Sequence, residues 1–107
     1  MTLPLERLTV ESMANGWKCI LLTERVGWEE FPAYAAAFAR MAGGRLGEVV
    51  DGPDIRMRGL WVGFWRFWIV FDGFPLGVTI EPRSKQADRA IDRLHSDLET
   101  LARHPVS

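Results

Sequence analysis

The sequence predicts an α+β fold, a two-layer sandwich. A largely antiparallel sheet of about five to six strands carries two helices on one face, in the order ββαβ-βββ-α. Three observations point there. Alternating apolar runs flank Asn15-Gly16 and again Gly63. Apolar residues recur at three and four positions over Glu29–Ala42 and after Ser84. The strand runs are interleaved with these one-sided helices. The chain reads as a single domain, 1–107, and a globule of 107 residues leaves about 6,000 Å² exposed, enough burial for one core without disulfides.

Leu8 and Val10, then Trp17, Cys19 and Leu21, alternate on either side of Asn15-Gly16. Asn-Gly in that setting predicts a type I′ hairpin, whose two central residues both need φ > 0. A two-residue turn pairs Ala14 with Trp17, Ser12 with Cys19, Val10 with Leu21 and Leu8 with Thr23. The apolar set, Cys19 included, is then expected inward. Over Glu29–Ala42 the period changes: Phe31, Tyr34, Phe38 and Met41 share one helical face, Ala33, Ala35, Ala36, Ala37 and Ala39 favour the helix, and Gly43-Gly44 ends it. A short strand is expected over Glu48–Val50, followed by the turn Asp51-Gly52-Pro53-Asp54.

For the tryptophan-rich ribbon, a three-residue turn over Val62–Phe64 pairs Trp61 with Trp65, Gly59 with Phe67, Met57 with Ile69 and Ile55 with Phe71. Ile55, Met57, Gly59 and Trp61 would then look inward. Arg56, Arg58 and Leu60 would look outward with Arg66 and Trp68, since a one-residue slip turns every side chain over. Asp72-Gly73-Phe74-Pro75 forms the next turn, and Leu76, Val78 and Ile80 continue the inner face. Ser84 caps a last helix through Arg103, with Ala87, Ala90, Ile91, Leu94, Leu98 and Leu101 as its apolar stripe.

Composition excludes several classes. Thirteen basic and fourteen acidic residues give a net charge of −1, so no global field draws nucleic acid or acidic membranes. The most apolar stretch, Gly59–Phe71, is shorter than a membrane span and is interrupted by Arg66. Residues 1–7 lack a signal-peptide pattern, and the lone thiol of Cys19 suits a reducing compartment, so the expected location is the cytoplasm. Gly43-Gly44-Arg45-Leu46-Gly47 lacks the lysine and spacing of a phosphate loop. His95 and His104 lack metal spacing, Asp51 and Asp54 read as turn caps, and Glu29-Glu30 suit a helix start. With no catalytic constellation, no cofactor and no metal are expected, and the weight lies against an enzyme.

One constellation stands out. In the expected register Arg58 lies opposite Trp68, Arg56 opposite Val70, and Arg66 opposite Leu60 and near Glu81. Arginine and tryptophan combine large contact area with directional donors, which is why they dominate interface hot spots. Ordinary cross-strand pairing, Arg66 with Glu81 and Arg58 with Trp68, accounts for the same residues at roughly 0.2–1 kcal/mol each.

Trp28-Glu29-Glu30-Phe31-Pro32-Ala33-Tyr34-Ala35, Asp51-Gly52-Pro53-Asp54-Ile55-Arg56 and Glu81-Pro82-Arg83-Ser84 together resemble a small bacterial family of single-domain proteins of unknown function. The resemblance implies a bacterial cytosolic protein and supplies no active site. It directs attention to Asp54, Arg56, Glu81 and Arg83.

The expectation is therefore a non-enzymatic binding or accessory module, toxin neutralisation being one form, that contacts a protein or small ligand through Arg56, Arg58, Arg66, Trp68, Glu81 and Arg83. The alternative is a small-molecule binder or enzyme with a pocket between sheet and helices, lined by Trp17, Trp28, Tyr34 and Trp61. A homodimer through a strand edge or the tryptophan-rich face is a third class.

Overall fold

Two tight turns decide which residues face the core. The computed structural model describes Leu5 and residues 7–103. Strands β1 (Thr9–Ser12) and β2 (Lys18–Thr23) are joined by a three-residue loop, Ala14-Asn15-Gly16. Met13 donates its backbone N–H to Trp17 O at 2.7 Å, and Gly16 alone takes positive φ, at 88°. Asn15 instead accepts from the Trp17 N–H through its side chain at 2.9 Å, so only the glycine enters the left-handed region. The expected two-residue turn is thereby corrected. Glu11, not Ser12, stands opposite Cys19, and Val10 opposite Ile20. Ile20 and Leu22 enter the core, while Cys19 and Leu21 turn to the other face.

The same correction applies to β4 (Ile55–Val62) and β5 (Trp65–Gly73). Their turn has two residues, Gly63-Phe64, between Val62 and Trp65. Gly63 has φ 59° and Phe64 stays at negative φ, the type II′ pattern with glycine first. Leu60 therefore pairs with Phe67, Arg58 with Ile69 and Arg56 with Phe71, not the three-residue register expected. The parity expected for β5 holds, with Phe67, Ile69 and Phe71 in the core, but that for β4 inverts: Leu60 looks inward and Met57, Gly59 and Trp61 look out.

Strand β6 (Leu76–Pro82) pairs Val78 with Phe71 and Ile80 with Ile69, two residues off the expected register, so Val78 and Ile80 keep the expected inner face while Leu76, opposite Gly73, is exposed. Strand β3 (Arg45–Asp51) is longer than expected and pairs with β4 across an irregularity between Leu46 and Val49. The six strands form one antiparallel sheet, ordered β1-β2-β6-β5-β4-β3.

Helix α1 (Phe31–Ala42) buries Phe31, Tyr34, Ala35, Phe38 and Ala39 and begins two residues later than the period suggested. Gly43 ends it at φ 68°, and Gly44 donates its N–H to Ala39 O at 2.8 Å. The single final helix expected is two: α2 (Lys85–Arg89) and α3 (Ile91–Arg103), interrupted at Ala90. Ser84 caps α2 as predicted, its Oγ accepting from the Ala87 N–H at 3.1 Å. The apolar stripe survives the break, because Ala87, Ile91, Leu94 and Leu98 all reach the same core as Phe67, Ile69 and Ile80. All three helices thus bury their apolar sides in one cluster on one side of the sheet, making two layers. No helix among the described residues is long and apolar enough to cross a membrane.

Candidate functional site

The inverted parity of β4 splits the six predicted site residues. Arg66, Trp68, Glu81 and Arg83 lie together on the sheet face opposite the helices, with Trp68 directly across from Glu81. Arg56 and Arg58 do not join them. They share the parity of Leu60, so they lie on the helix-bearing face, which corrects their expected place beside Trp68. Both are bound to backbone there. Arg58 donates from Nε and Nη2 to Gly47 O at 3.3 and 2.9 Å. Arg56 donates to Trp28 O at 2.9 Å and to Asp51 Oδ1 at 3.3 Å.

On the open face the expected partnerships also change. Gly59, not Arg58, stands opposite Trp68. The Arg83 guanidinium lies 3.8 Å from the centroid of the Trp68 ring, and its Nη1 bonds Glu48 Oε1 at 3.1 Å. This ion pair occupies the space left by Gly59, where a Cβ would collide with the Glu48 carboxylate. Arg66 lies over Trp61, 5.2 Å from its centroid. Arg83 holds the exposed Glu48 carboxyl below its ordinary range, chiefly by that hydrogen bond.

Among the described residues no guanidinium reaches Glu81, and its side chain accepts from the Thr79 hydroxyl, 3.3 Å from Oε2. Burial pushes its carboxyl above the ordinary range and the charge of Asp72 adds to this, against the Thr79 bond. Cys19 is buried beside it on this face, and burial, followed by the charges of Glu81 and Glu11, pushes its thiol up to about 11. Such a thiol is protonated at neutral pH and a poor nucleophile.

The registers continue across the sheet as rows. Thr9, Leu21, Thr79, Val70, Met57 and Val50 stand side by side from β1 to β3, a band with no charged side chain. At the usual strand separation it is about 24 Å wide. Glu11 and Glu81 border it on one side and Asp72 on the other. Among the described residues no helix covers it, since all bury their apolar sides in the opposite cluster. Sequence reasoning assigned Leu21 and Met57 to the core and so missed the band. Gly59 was the available signal, since a glycine inside a strand marks close approach by another group.

The pocket expected between Trp17, Trp28, Tyr34 and Trp61 does not form. Tyr34 is in the core, and Trp61 lies on the open face. Trp28 instead lines a shallow cleft of about 560 Å³ with Pro53, Asp54, Phe71, Gly73, Phe74 and Leu76. Arg56 lies over its ring at 4.8 Å, and Phe71 meets its edge at 6.0 Å. Phe74 is 91% exposed at the tip of the β5–β6 turn. His95 contacts Leu8 O and Glu99, a structural role, and His104 lies outside the described residues. Among the described residues, no three histidine, cysteine or acidic side chains are grouped to hold a metal.

Comparison with protein-family models, curated proteins and solved structures finds no match for this chain.

Proposed function

We propose that this protein is a non-enzymatic binding module, cytosolic and bacterial, that docks a partner protein on the open face of its sheet. The carrying observation is the uncharged band from Thr9 to Val50, left outside the helical layer. An antiparallel sheet with one solvated face ordinarily alternates apolar inside with polar outside. Here Leu21, Met57 and Trp68 stand half-buried on that side, with Val70 buried in the same row at 4% exposure. Contiguous apolar surface bordered by charge is a mark of an interaction site. Trp68, held under Arg83, supplies a rigid anchor of the kind that dominates interface energetics.

A second reading, a small apolar ligand in the Trp28–Phe74–Leu76 cleft, is favoured by the exposure of those side chains. Two variants separate them. Thr79→Arg places a long cation in the middle of the band and offers Glu81 a guanidinium, so the fold should tolerate it. Phe74→Arg fills the cleft at an exposed turn. Tagged protein recovered from its native host should retain its partner in the wild type and in Phe74→Arg, and lose it in Thr79→Arg. Loss in Phe74→Arg with retention in Thr79→Arg would favour the cleft.

A further inference from the structure

Glu81 narrows the chemistry of the partner. Its carboxylate is half-buried at the border of the band, and the nearest cations on this face are engaged elsewhere: Arg83 with Glu48 and Trp68, and Arg66 with Trp61. The neighbouring charges are acidic, Glu11 across β2 in the same row and Asp72 beyond the band. A partner that covered this face without bringing a cation would strip water from an unpaired carboxylate, which opposes binding. A partner carrying one converts the same residue into an anchor. We infer that the partner inserts a lysine or arginine, flanked by aliphatic side chains, with Glu81 receiving the cation while Leu21 and Met57 take the flanking groups. This inference rests on the docking function proposed above. Charge argues against a second copy as occupant. A two-fold axis centred on Val70 and running across the strands sets Glu81 beside Asp72 of the copy. One running along the strands sets Glu81 near the Glu48 of the copy.

The test uses two synthetic amphipathic peptides of identical leucine pattern, one with lysine and the other with glutamate at the polar positions. Each is titrated into the isotope-labelled full chain and followed by amide chemical shifts. The lysine peptide should shift Leu21, Val70, Thr79 and Glu81, and Glu81→Gln should weaken it about tenfold or more without lowering the melting temperature. The glutamate peptide should leave these amides unmoved. If both peptides shift the band equally, or Glu81→Gln binds as the wild type does, the cationic partner is overturned while the docking face stands. If neither peptide moves the band, both the partner class and the docking face are overturned. A free-protein dimer in sedimentation that Thr79→Arg dissolves would make a second copy the occupant and overturn the inference.

Discussion

At residue 81 a carboxylate is held where its charge is poorly solvated and poorly matched. Burial raises its folded-state value above the ordinary 4.5, so the folded chain binds this proton more tightly than the unfolded chain does. The stabilisation from that proton is complete below 4.5 and is lost as pH rises through the raised folded value. At neutral pH the ionised Glu81 therefore lowers stability. Glu81→Gln should raise the melting temperature at pH 7. The advantage should shrink as pH approaches 4.5. Melting curves of the two proteins at several pH values check this, and an unchanged or lowered melting temperature at pH 7 contradicts it. Glu48 has the opposite sign. Its lowered value makes the Arg83 pairing stabilising above the unfolded value, and that contribution fades as pH falls through the folded one. The sequence pointed to Arg83 through a resemblance, to Glu81 through that resemblance and its expected pairing with Arg66, and to Trp68 through its chemistry. It did not show that Arg83 turns to Glu48, because that contact joins residues 35 apart.

At the scale of the element, glycines decide more than the apolar periods do. Alternation alone permits either parity for β4, and the residue that takes positive φ in the turn chooses between them. With Gly63 first in a two-residue turn, Leu60 meets Phe67 and the arginines of β4 lie on the helix-bearing face. In the first hairpin, Asn15 stays out of the left-handed region by using its side chain, and the loop gains a residue, which shifts the register by one. Helix α1 was legible because a 3.6-residue stripe and a glycine stop agree. The break between α2 and α3 was not, because the stripe continues through it. Two strand-facing glycines separate fold from site. A Cβ at Gly44 would lie 2.5 Å from the backbone oxygen of Trp61, so Gly44→Ala should cost about 1–3 kcal/mol in urea unfolding. A Cβ at Gly59 meets chiefly the end of the flexible Glu48 side chain. Gly59→Ala should therefore dislodge the Glu48–Arg83 pair, change the environment of Trp68, and lower stability much less. Equal losses for the two variants in urea unfolding, or unaltered Trp68 fluorescence in Gly59→Ala, would contradict this division.

For the whole molecule, the two-layer α+β architecture followed from composition and period. The position of the first hairpin did not. Its pairing with β6 places β2 beside the centre of the sheet and completes the uncharged row from Thr9 to Val50. Such long-range pairing leaves little local trace in a sequence, since it depends on which edge offers a matching inner face. Here Ile20 meets Ile80. The consequence is a division of labour between the two sides of one sheet. The helices close the core on one side, and the other side presents Leu21, Met57 and Trp68 beside Glu81, which has no cationic partner among the described residues. The most direct measurement is photo-crosslinking in the native host, with benzoylphenylalanine placed at Met57 in the band and, separately, at Ala33 on the exposed side of α1. An adduct of one discrete larger mass at position 57 and none at position 33 is the predicted result. Adducts at 33 with none at 57 would contradict the assignment of the open sheet face as the docking surface.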